Sequence, residues 1–515
     1  MGIGDAVSPG RRPALFMLVA LLAYLPAPPL AAATFAVNSP ADFHDANPGD
    51  GVCETVAGNG ACTLRAALEE TNALAGADTI NLQPNVTYTL TMSASSGVFA
   101  LEIADSVTIN GSDNTIDAMG VGAGVLRVSH CIRDAAVSNV CTYGSPVAAI
   151  SGVSFRHGKA LQQGSGQGGG VQNFATLMLS RCLVSSNKAG EVGGNFGMGG
   201  GIFNGGTLTL VDSVVADNNA TGNMQGYAGG IWNSGTLTMT NSVVSANSTN
   251  GPSTLGGGVL GAGGTLTIDS SAIRDNHDNG TTGEGGGLVV NGGSATVRNS
   301  TVSGNRSLRG GGISAGGGIS AVNLILVNST VSGNFSFENG GGLYVRQGVA
   351  LYNTTVTDNL ANADDSGSAI GGGIYVVGGN SLTMTNSIVQ GNLRSIVSGP
   401  FPTLAGDECA GSLSSLGDNL LSVDVDTSHC TVAGSYGTGA ANFGPLDDNG
   451  GLTQTHALLG GSAAIDAGNL GGCTDNVGAV LTRDQRGVKR PYGGRCDLGA
   501  FEAAEIIFRD GFDGS

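Results

Sequence analysis

The chain has 515 residues, of which 90 are glycine and only 12% are charged, and its formal net charge is −18 at pH 7. This negative charge disfavours nucleic acid and anionic lipid as partners, because both are polyanions. Aliphatic residues recur at fixed spacing, which argues against a disordered chain. The composition therefore indicates a soluble, ordered protein with a repeated architecture.

An apolar run from Ala14 to Leu25 follows two arginines and precedes three alanines. A basic start, a short apolar stretch and small residues are typical of a secretory signal peptide, and the run is too short to span a bilayer. We predict cleavage near Thr34. Residues 1–33 are then a signal peptide, and no transmembrane segment remains after its removal.

The central part of the chain repeats one unit of about 25–31 residues eight times. Each copy opens with a glycine cluster, such as GGGI at 199–202, and closes on an asparagine. The closing asparagines are Asn187, Asn218, Asn247, Asn276, Asn305, Asn334, Asn359 and Asn392. Apolar residues stand at constant distances before each asparagine and directly after each glycine cluster. Short apolar segments separated by turn residues are typical of β-strands.

Three such segments per copy predict an all-β fold, a right-handed parallel β-helix with three strands per coil. Each apolar column then becomes an interior stack with a spacing of about 4.8 Å. We interpret the asparagines as a ladder of turn residues, because asparagine tolerates left-handed conformations and can hydrogen-bond to its neighbours, and the glycines as tight corners.

A solenoid of this kind has two open ends that must be covered to prevent aggregation. The segment 63–75 carries Leu64, Ala67 and Leu68 on one face, which predicts a short amphipathic capping helix at the N-terminal end. We expect the segment of roughly 400–502 to close the other end.

Nine cysteines fall as four close pairs and one single residue. The pairs are Cys53 with Cys62, Cys131 with Cys141, Cys409 with Cys430 and Cys473 with Cys496. Pairing within each set is the simplest disulfide scheme, and it agrees with export. Cys182 falls in a column of serine and threonine, so we predict a small buried residue there and not a reactive thiol.

Two stretches resemble known families of exported bacterial proteins. Residues 34–75, with ACTLRAA at 61–67, resemble the CSLREA domain but carry Ala66 where that family has glutamate. The C-terminal motifs are similar to the choice-of-anchor Q domain, and they lie at 444–451, 453–457, 464–469, 484–487, 490–491 and 496–502. That family accompanies β-helices and precedes surface-sorting tails. The resemblances imply an exported or surface location, and neither family carries a known reaction.

These observations divide the chain into five predicted parts. They are the signal peptide 1–33, a CSLREA-like N-terminal cap 34–105, β-helix repeats 106–400, a choice-of-anchor Q-like region 401–502 and a short tail 503–515.

The outward position after each glycine cluster holds no carboxylate and no base. Its residues are Gln172, Phe203, Trp232, Leu260, Val289, Ser314, Tyr344 and Tyr375. Polysaccharide lyases and hydrolases of this fold need carboxylates and a base in such a groove. The column therefore favours a non-catalytic protein. The variable loops before the glycine clusters could still supply acids, namely Glu191, Asp278, Glu284, Glu338, Asp364 and Asp365.

Four aromatics in that column form two neighbouring pairs, Phe203 with Trp232 and Tyr344 with Tyr375. Exposed aromatic rings in a row could stack against sugar rings. The alternative interpretation is cross-strand packing under a covering loop.

The acid pairs Asp364/Asp365 and Asp447/Asp448 are weak candidates for Ca²⁺ ligands. Such acids more often serve as solvated turn residues, so no metal site and no cofactor are predicted.

The sequence thus predicts a monomeric, non-enzymatic β-helix protein that is secreted or located at the cell surface and binds a polysaccharide or surface glycan. Two alternatives stay open. One is a polysaccharide lyase or glycoside hydrolase with loop-borne carboxylates, and the other is a structural spacer.

Overall fold

The computed structural model describes residues 2, 32–93, 99–119, 121–129, 146–161, 165–191, 193–316, 322–396, 401–422 and 429–503. The apolar run of the predicted signal peptide, the two cysteines Cys131 and Cys141, and the tail 504–515 lie outside the described residues.

Within these residues the chain is a parallel β-solenoid of about 11 coils, which confirms the predicted fold class. The first strand of each coil belongs to a sheet that we call the glycine sheet, because most of its strands follow a glycine cluster. Its strands are Phe99–Ile103, Gly124–Val128, Val171–Asn173, Ile202–Asn204, Ile231–Asn233, Val259–Gly261, Leu288–Val290, Ile313–Ala315, Leu343–Val345, Ile374–Val376 and Cys409–Ser415.

A leucine sheet comes next in each coil. Its strands are Thr34–Ala36, Asp78–Asn81, Val107–Asp117, Val147–Arg156, Thr176–Ser180, Thr207–Val211, Thr236–Thr240, Thr265–Asp269, Gly293–Arg298, Val322–Val327, Val349–Tyr352, Leu382–Thr385 and Cys430–Ala433.

A valine sheet completes each coil. Its strands are Thr87–Thr89, Leu183–Ser185, Val214–Ala216, Val243–Ser245, Ala272–Arg274, Thr301–Ser303, Thr330–Ser332, Thr355–Thr357, Ile388–Val389 and Leu420–Leu421. The long strands Val107–Asp117 and Val147–Arg156 also extend into this sheet. The parallel pairing reaches from Thr34 to Ala433, beyond both ends of the predicted repeat region.

The segments between each closing asparagine and the next glycine cluster add strands that the sequence did not reveal. We call this stacked projection the wing. Its outer strands are Lys159–Ala160, Lys188–Ala189, Asn219–Thr221, Ser248–Asn250, His277–Asp278, Arg306–Ser307, Phe335–Ser336, Leu360–Ala361, Leu393–Ile396 and Thr403–Gly406. Its inner strands are Ser165–Gln167, Phe196–Met198, Gln225–Tyr227 and Ser253–Leu255.

The closing asparagines form a buried ladder at one corner of the coil. In a typical step Asn276 Oδ1 accepts hydrogen bonds from the backbone N–H of Asn247 at 3.0 Å and from its Nδ2 at 2.9 Å. These asparagines do not themselves adopt the left-handed conformation. The preceding residue does so instead, as at Asp275 with φ 56°, because the turn directs the asparagine side chain inward. The ladder ends on the buried carboxylate of Glu408, which accepts from Asn392 Nδ2 at 2.7 Å.

The three glycines of a cluster meet three different requirements, as cluster 256–258 shows. Gly256 has φ +74°, a conformation that favours glycine. A Cβ on Gly257 would lie 2.5 Å from the carbonyl oxygen of the next coil's Gly286. A Cβ on Gly258 would lie 2.9 Å from the amide of Asn276, so the third glycine makes room for the ladder.

The predicted capping helix is present as Leu64–Ala73. Thr63 caps its N-terminus by accepting a hydrogen bond from the backbone N–H of Ala66, although the glutamate of the resembled motif is missing. Leu64 and Leu68 are buried in the same core cluster as the solenoid interior, so the helix packs its apolar face onto that core.

The C-terminal region extends the far end of the solenoid and then continues along its side. Cys409–Ser415 and Cys430–Ala433 continue the coils, but the segment after them folds back along the valine sheet. An antiparallel hairpin of Phe443–Asp447 and Thr455–Leu458 begins this segment. Buried polar side chains dock it, as where Gln485 Nε2 donates to Thr301 Oγ1 at 2.8 Å.

Three of the four predicted disulfides fall among the described residues, and all three form as expected. They join Cys53 to Cys62, Cys409 to Cys430 and Cys473 to Cys496. The fourth, predicted between Cys131 and Cys141, is not tested, because both Cys131 and Cys141 lie outside the described residues. The bond from Cys131 to Cys141 therefore stays a prediction from spacing alone.

The single cysteine, Cys182, is buried in the solenoid interior. Its exposure is 3%, and burial raises the pKa of its thiol to about 11. The thiolate is the reactive form of cysteine, and burial disfavours that form. The prediction of a small buried residue at this position is confirmed.

His456 holds the C-terminal hairpin against the valine sheet. Its Nε2 lies 2.7 Å from Ser332 Oγ, and its Nδ1 lies 2.8 Å from the carbonyl oxygen of Gly444. The side chains of His456 and Ser332 are both buried. Burial lowers the pKa of His456, while Asp358 opposes this shift from 3.8 Å.

The lowered pKa of His456 predicts a pH-dependent contribution to stability. A neutral imidazole in the folded state is stabilising above the unfolded pKa of about 6.5, and this contribution is lost as pH falls. We expect His456→Gln to be less acid-sensitive than the wild type. Between pH 7.5 and pH 5, the difference in unfolding free energy between the two proteins should shift towards the variant. An unchanged difference, measured by urea unfolding, would contradict this role.

Candidate functional site

The outer face of the glycine sheet carries one continuous ladder of side chains. Backbone pairing places Phe203 beside Trp232, then Leu260, Val289 and Ser314 on successive coils. Tyr344 and Tyr375 follow in the same register. The order predicted from the repeat alignment is therefore confirmed. The same ladder continues towards the N-terminus through Arg127 and Glu102, which the sequence comparison did not include because those coils lack glycine clusters.

The predicted aromatic neighbours stack on each other. The rings of Phe203 and Trp232 lie 4.3 Å apart at 8°, and those of Tyr344 and Tyr375 lie 5.3 Å apart at 3°. Their exposure differs from the expectation of four open rings. Phe203 and Tyr344 are only 5% and 8% exposed, whereas Trp232 and Tyr375 are half-buried. Stacking along the solenoid axis uses ring faces for contacts within the protein.

The wing packs against this outer face, and we call the contact region the junction. Leu255 and Tyr227 of the inner wing strands lie in one cluster with Trp232, Leu260 and Val289. The wing therefore covers Leu260 and Val289, the part of the outward ladder that lies between the two aromatic pairs. Solvent still reaches the half-buried rings of Trp232 and Tyr375 and the polar side chains beside them.

Four charged side chains converge at the C-terminal half of the junction, and we call them the charged cluster. Arg346 donates to both carboxylate oxygens of Glu284, through Nη1 at 2.5 Å and Nη2 at 2.6 Å. Arg309 Nε donates to Glu338 at 2.5 Å, and Arg309 Nη1 lies 3.6 Å from Glu284. Arg346 also lies over the ring of Tyr344, 4.8 Å from its centroid.

Backbone pairing between adjacent coils brings Glu284 and Arg309 together. Glu284 and Arg309 each stand directly before a glycine cluster, and they pair on adjacent coils in the column that holds Leu255. Ser314, in the outward ladder, donates to Glu284 at 3.3 Å. Sequence reasoning included Glu284 and Glu338 among the loop acids but missed both arginines. The position before the glycine cluster was the signal that could have revealed Arg309.

A buried carboxylate supports Glu284 from inside the wing. Asp278 accepts hydrogen bonds from the backbone N–H of Glu284 at 2.9 Å and from the hydroxyl of Thr254. Burial raises the pKa of Asp278 to about 6, and its hydrogen bonds counteract the shift. Because Thr254 and Asp278 lie in adjacent coils, this contact fixes the backbone that carries Glu284.

The weak Ca²⁺ candidates serve as turn acceptors. Asp364 accepts from the Ser366 hydroxyl at 2.8 Å, and Asp365 accepts from Ser395. Asp447 and Asp448 each accept from a nearby backbone N–H. Among the described residues, no group of three or more His, Cys, Asp and Glu side chains could hold a metal ion.

A larger open space lies away from the junction, between the solenoid and the C-terminal hairpin. A space of about 640 Å³ separates the valine sheet from the C-terminal hairpin and is lined by residues such as Arg274, Asp275 and Leu452. It contains no stacked aromatic pair and only one exposed ion pair, between Arg274 and Asp275. We therefore place the candidate site at the junction, where aromatic rings and oriented charges converge.

No family model and no curated protein matches the chain. Among solved structures, the chain is similar to the crystal structure of pectate lyase Pel9A. The two are 15% identical with a TM-score of 0.40, over 92% of this chain and 97% of that chain. Identity and TM-score at this level support no functional conclusion. No helix in the described part of the chain is long and apolar enough to cross a membrane.

Proposed function

We propose that this protein is exported, acts at or outside the cell surface, and binds a glycan at the junction without cleaving it. The observation that carries the proposal is the stacked pair Tyr344 and Tyr375 directly beside the charged cluster. Apolar ring surface with a few oriented hydrogen-bonding groups is the chemistry that recognises sugars. The three disulfides support an oxidising compartment.

Removing the outermost ring of the C-terminal pair tests this proposal. We expect Tyr375→Ala to weaken binding to a glycan identified on an array about two- to tenfold, because an aromatic contact contributes about 0.5–1.5 kcal/mol. Isothermal titration with the identified glycan measures the effect.

Tyr492→Ala is the matched control, since it removes a tyrosine that is 45% exposed in the C-terminal region. It should leave the affinity unchanged. Equal affinity for the Tyr375→Ala variant and the wild type would place binding elsewhere. Absence of binding to any glycan would favour the structural spacer.

One observation favours a second candidate, an enzyme that cleaves polysaccharide. The junction holds two loop-borne carboxylates, Glu284 and Glu338, that share Arg309 between them. Paired carboxylates are the usual equipment of glycoside hydrolases. A screen of pectin, alginate, glycosaminoglycans and neutral polysaccharides for new reducing ends or double bonds separates the candidates. Cleavage that is lost in Glu338→Gln would establish the enzyme.

A further inference from the structure

We infer that the glycan bound at the junction is uncharged, an inference that rests on the proposed function and narrows its ligand class. Its basis is the charge balance of the outer face. The charged cluster holds two arginines and two glutamates, so its formal charges cancel.

Each charge in the cluster already has a partner of opposite sign. The Arg346 guanidinium is engaged by both oxygens of Glu284, and Arg309 is engaged by Glu338. A uronate carboxylate could bind an arginine only by displacing one of these glutamates or by lying beside it. Like charges at such distances repel each other, and the side chain of Glu284 is 9% exposed, where this repulsion is poorly screened.

Opposite charges also lie near each other at both ends of the ladder. At the N-terminal end of the ladder, backbone register places Glu102 beside Arg127. On the coil after Tyr375, Arg394 Nε lies 3.7 Å from Asp407. No stretch of unopposed positive charge therefore occurs along the described ladder. The net charge of −18 adds a general repulsion of polyanions.

Sugar hydroxyl groups fit the polar groups that stay accessible. The side chains of Arg309 and Glu338 are 27% and 44% exposed, so solvent reaches both a donor and an acceptor. A hydroxyl group can accept from the first and donate to the second, whereas a carboxylate only accepts. The exposed edge of the cluster thus matches neutral sugars and opposes uronates.

The test compares acidic polysaccharide fragments with their carboxyl-reduced forms, in which a neutral hydroxymethyl group replaces each carboxylate. Oligomers of pectin, alginate and hyaluronan in both forms, together with neutral xylan and cellulose oligomers, are titrated into the full-length protein. We expect at least tenfold tighter binding to a neutral member than to any acidic one.

A charge-changing variant sharpens the test. Glu338→Gln leaves Arg309 without its closest carboxylate and gives the cluster a formal charge of +1, so affinity for the acidic oligomers should rise about fivefold. Glu191→Gln is the matched control, because it makes the same change at an exposed wing residue outside the cluster and should have no effect.

The possible results distinguish a failure of the neutral-ligand inference from a failure of the proposed glycan binding. Preferred binding of acidic oligomers by the wild type would overturn the neutral-ligand inference and leave the proposed function intact. An equal rise in both variants would show a general charge effect and also overturn the inference. Binding to neither form of any oligomer would overturn the proposed function and this inference with it.

Discussion

Replacing Asn276 by alanine is expected to lower the free energy of unfolding by about 3–5 kcal/mol. The Asn276 side chain accepts two hydrogen bonds from Asn247 and donates to the carbonyl oxygen of Val244 and to Asn305 Oδ1, all at 2.9–3.0 Å. Alanine would leave these groups buried without partners. Water cannot reach them, because Asn276 is 0% exposed. Equilibrium urea unfolding measures the loss.

Asn279→Ala is the matched control for this ladder variant. Asn279 lies three residues further along the same coil but is exposed on the wing, so its removal should change stability by no more than about 0.5 kcal/mol. If both variants lost stability equally, the ladder would be no more important than an ordinary surface amide. A small loss in Asn276→Ala would show that neighbouring ladder amides can exchange partners.

The second large effect is expected for Gly258→Ala, at the third position of a glycine cluster. Its Cβ would lie 2.6 Å from the carbonyl oxygen of Gly287 and 2.9 Å from the amide of Asn276. Neither group can retreat, because the first is backbone of the next coil and the second belongs to the ladder. We expect a loss of about 3 kcal/mol or more, measured by urea unfolding and by thermal melting.

Gly378→Ala supplies the control for this glycine variant. A Cβ at Gly378 meets no atom within 4 Å, and the backbone there is not left-handed, so alanine should be neutral or slightly stabilising. The first position of a glycine cluster is less restricted than the third. The third copy of the repeat carries Ala228 at the first position, with φ 53°, so the first position tolerates a Cβ. Comparable losses in Gly258→Ala and Gly378→Ala would contradict the steric argument.

Much of the fold could be predicted from the sequence because the same pattern of apolar residues, glycines and asparagines occurs in eight copies. Each apolar column, such as that of Leu208, Leu237 and Leu266, is buried along its whole length. Local signals also located the helix at Leu64–Ala73, and close spacing along the chain identified the three described disulfides. These features depend on residues near each other in sequence or repeated in register, so their pattern is visible without coordinates.

The candidate site was only half visible, since its groups come from different coils. The outward ladder of Trp232 and Tyr375 followed from alignment on the repeat. The meeting of Glu284 with Arg346, 62 residues apart, did not. Loops of unequal length hide their mutual register in the sequence, and only backbone pairing in the wing restores it.

The sequence by itself determined the solenoid, its interior columns, the asparagine column and the glycine corners, because a repeat aligned in register places like residues in like environments. Only the tertiary structure decided what the outer surface does. It turned the variable loops into a wing, buried Phe203 and Tyr344 beneath their partners, and folded the C-terminal region back along the valine sheet. These outcomes depend on contacts between non-repeating segments far apart in the chain, such as Thr330 and Gln485, and no period in the sequence records them.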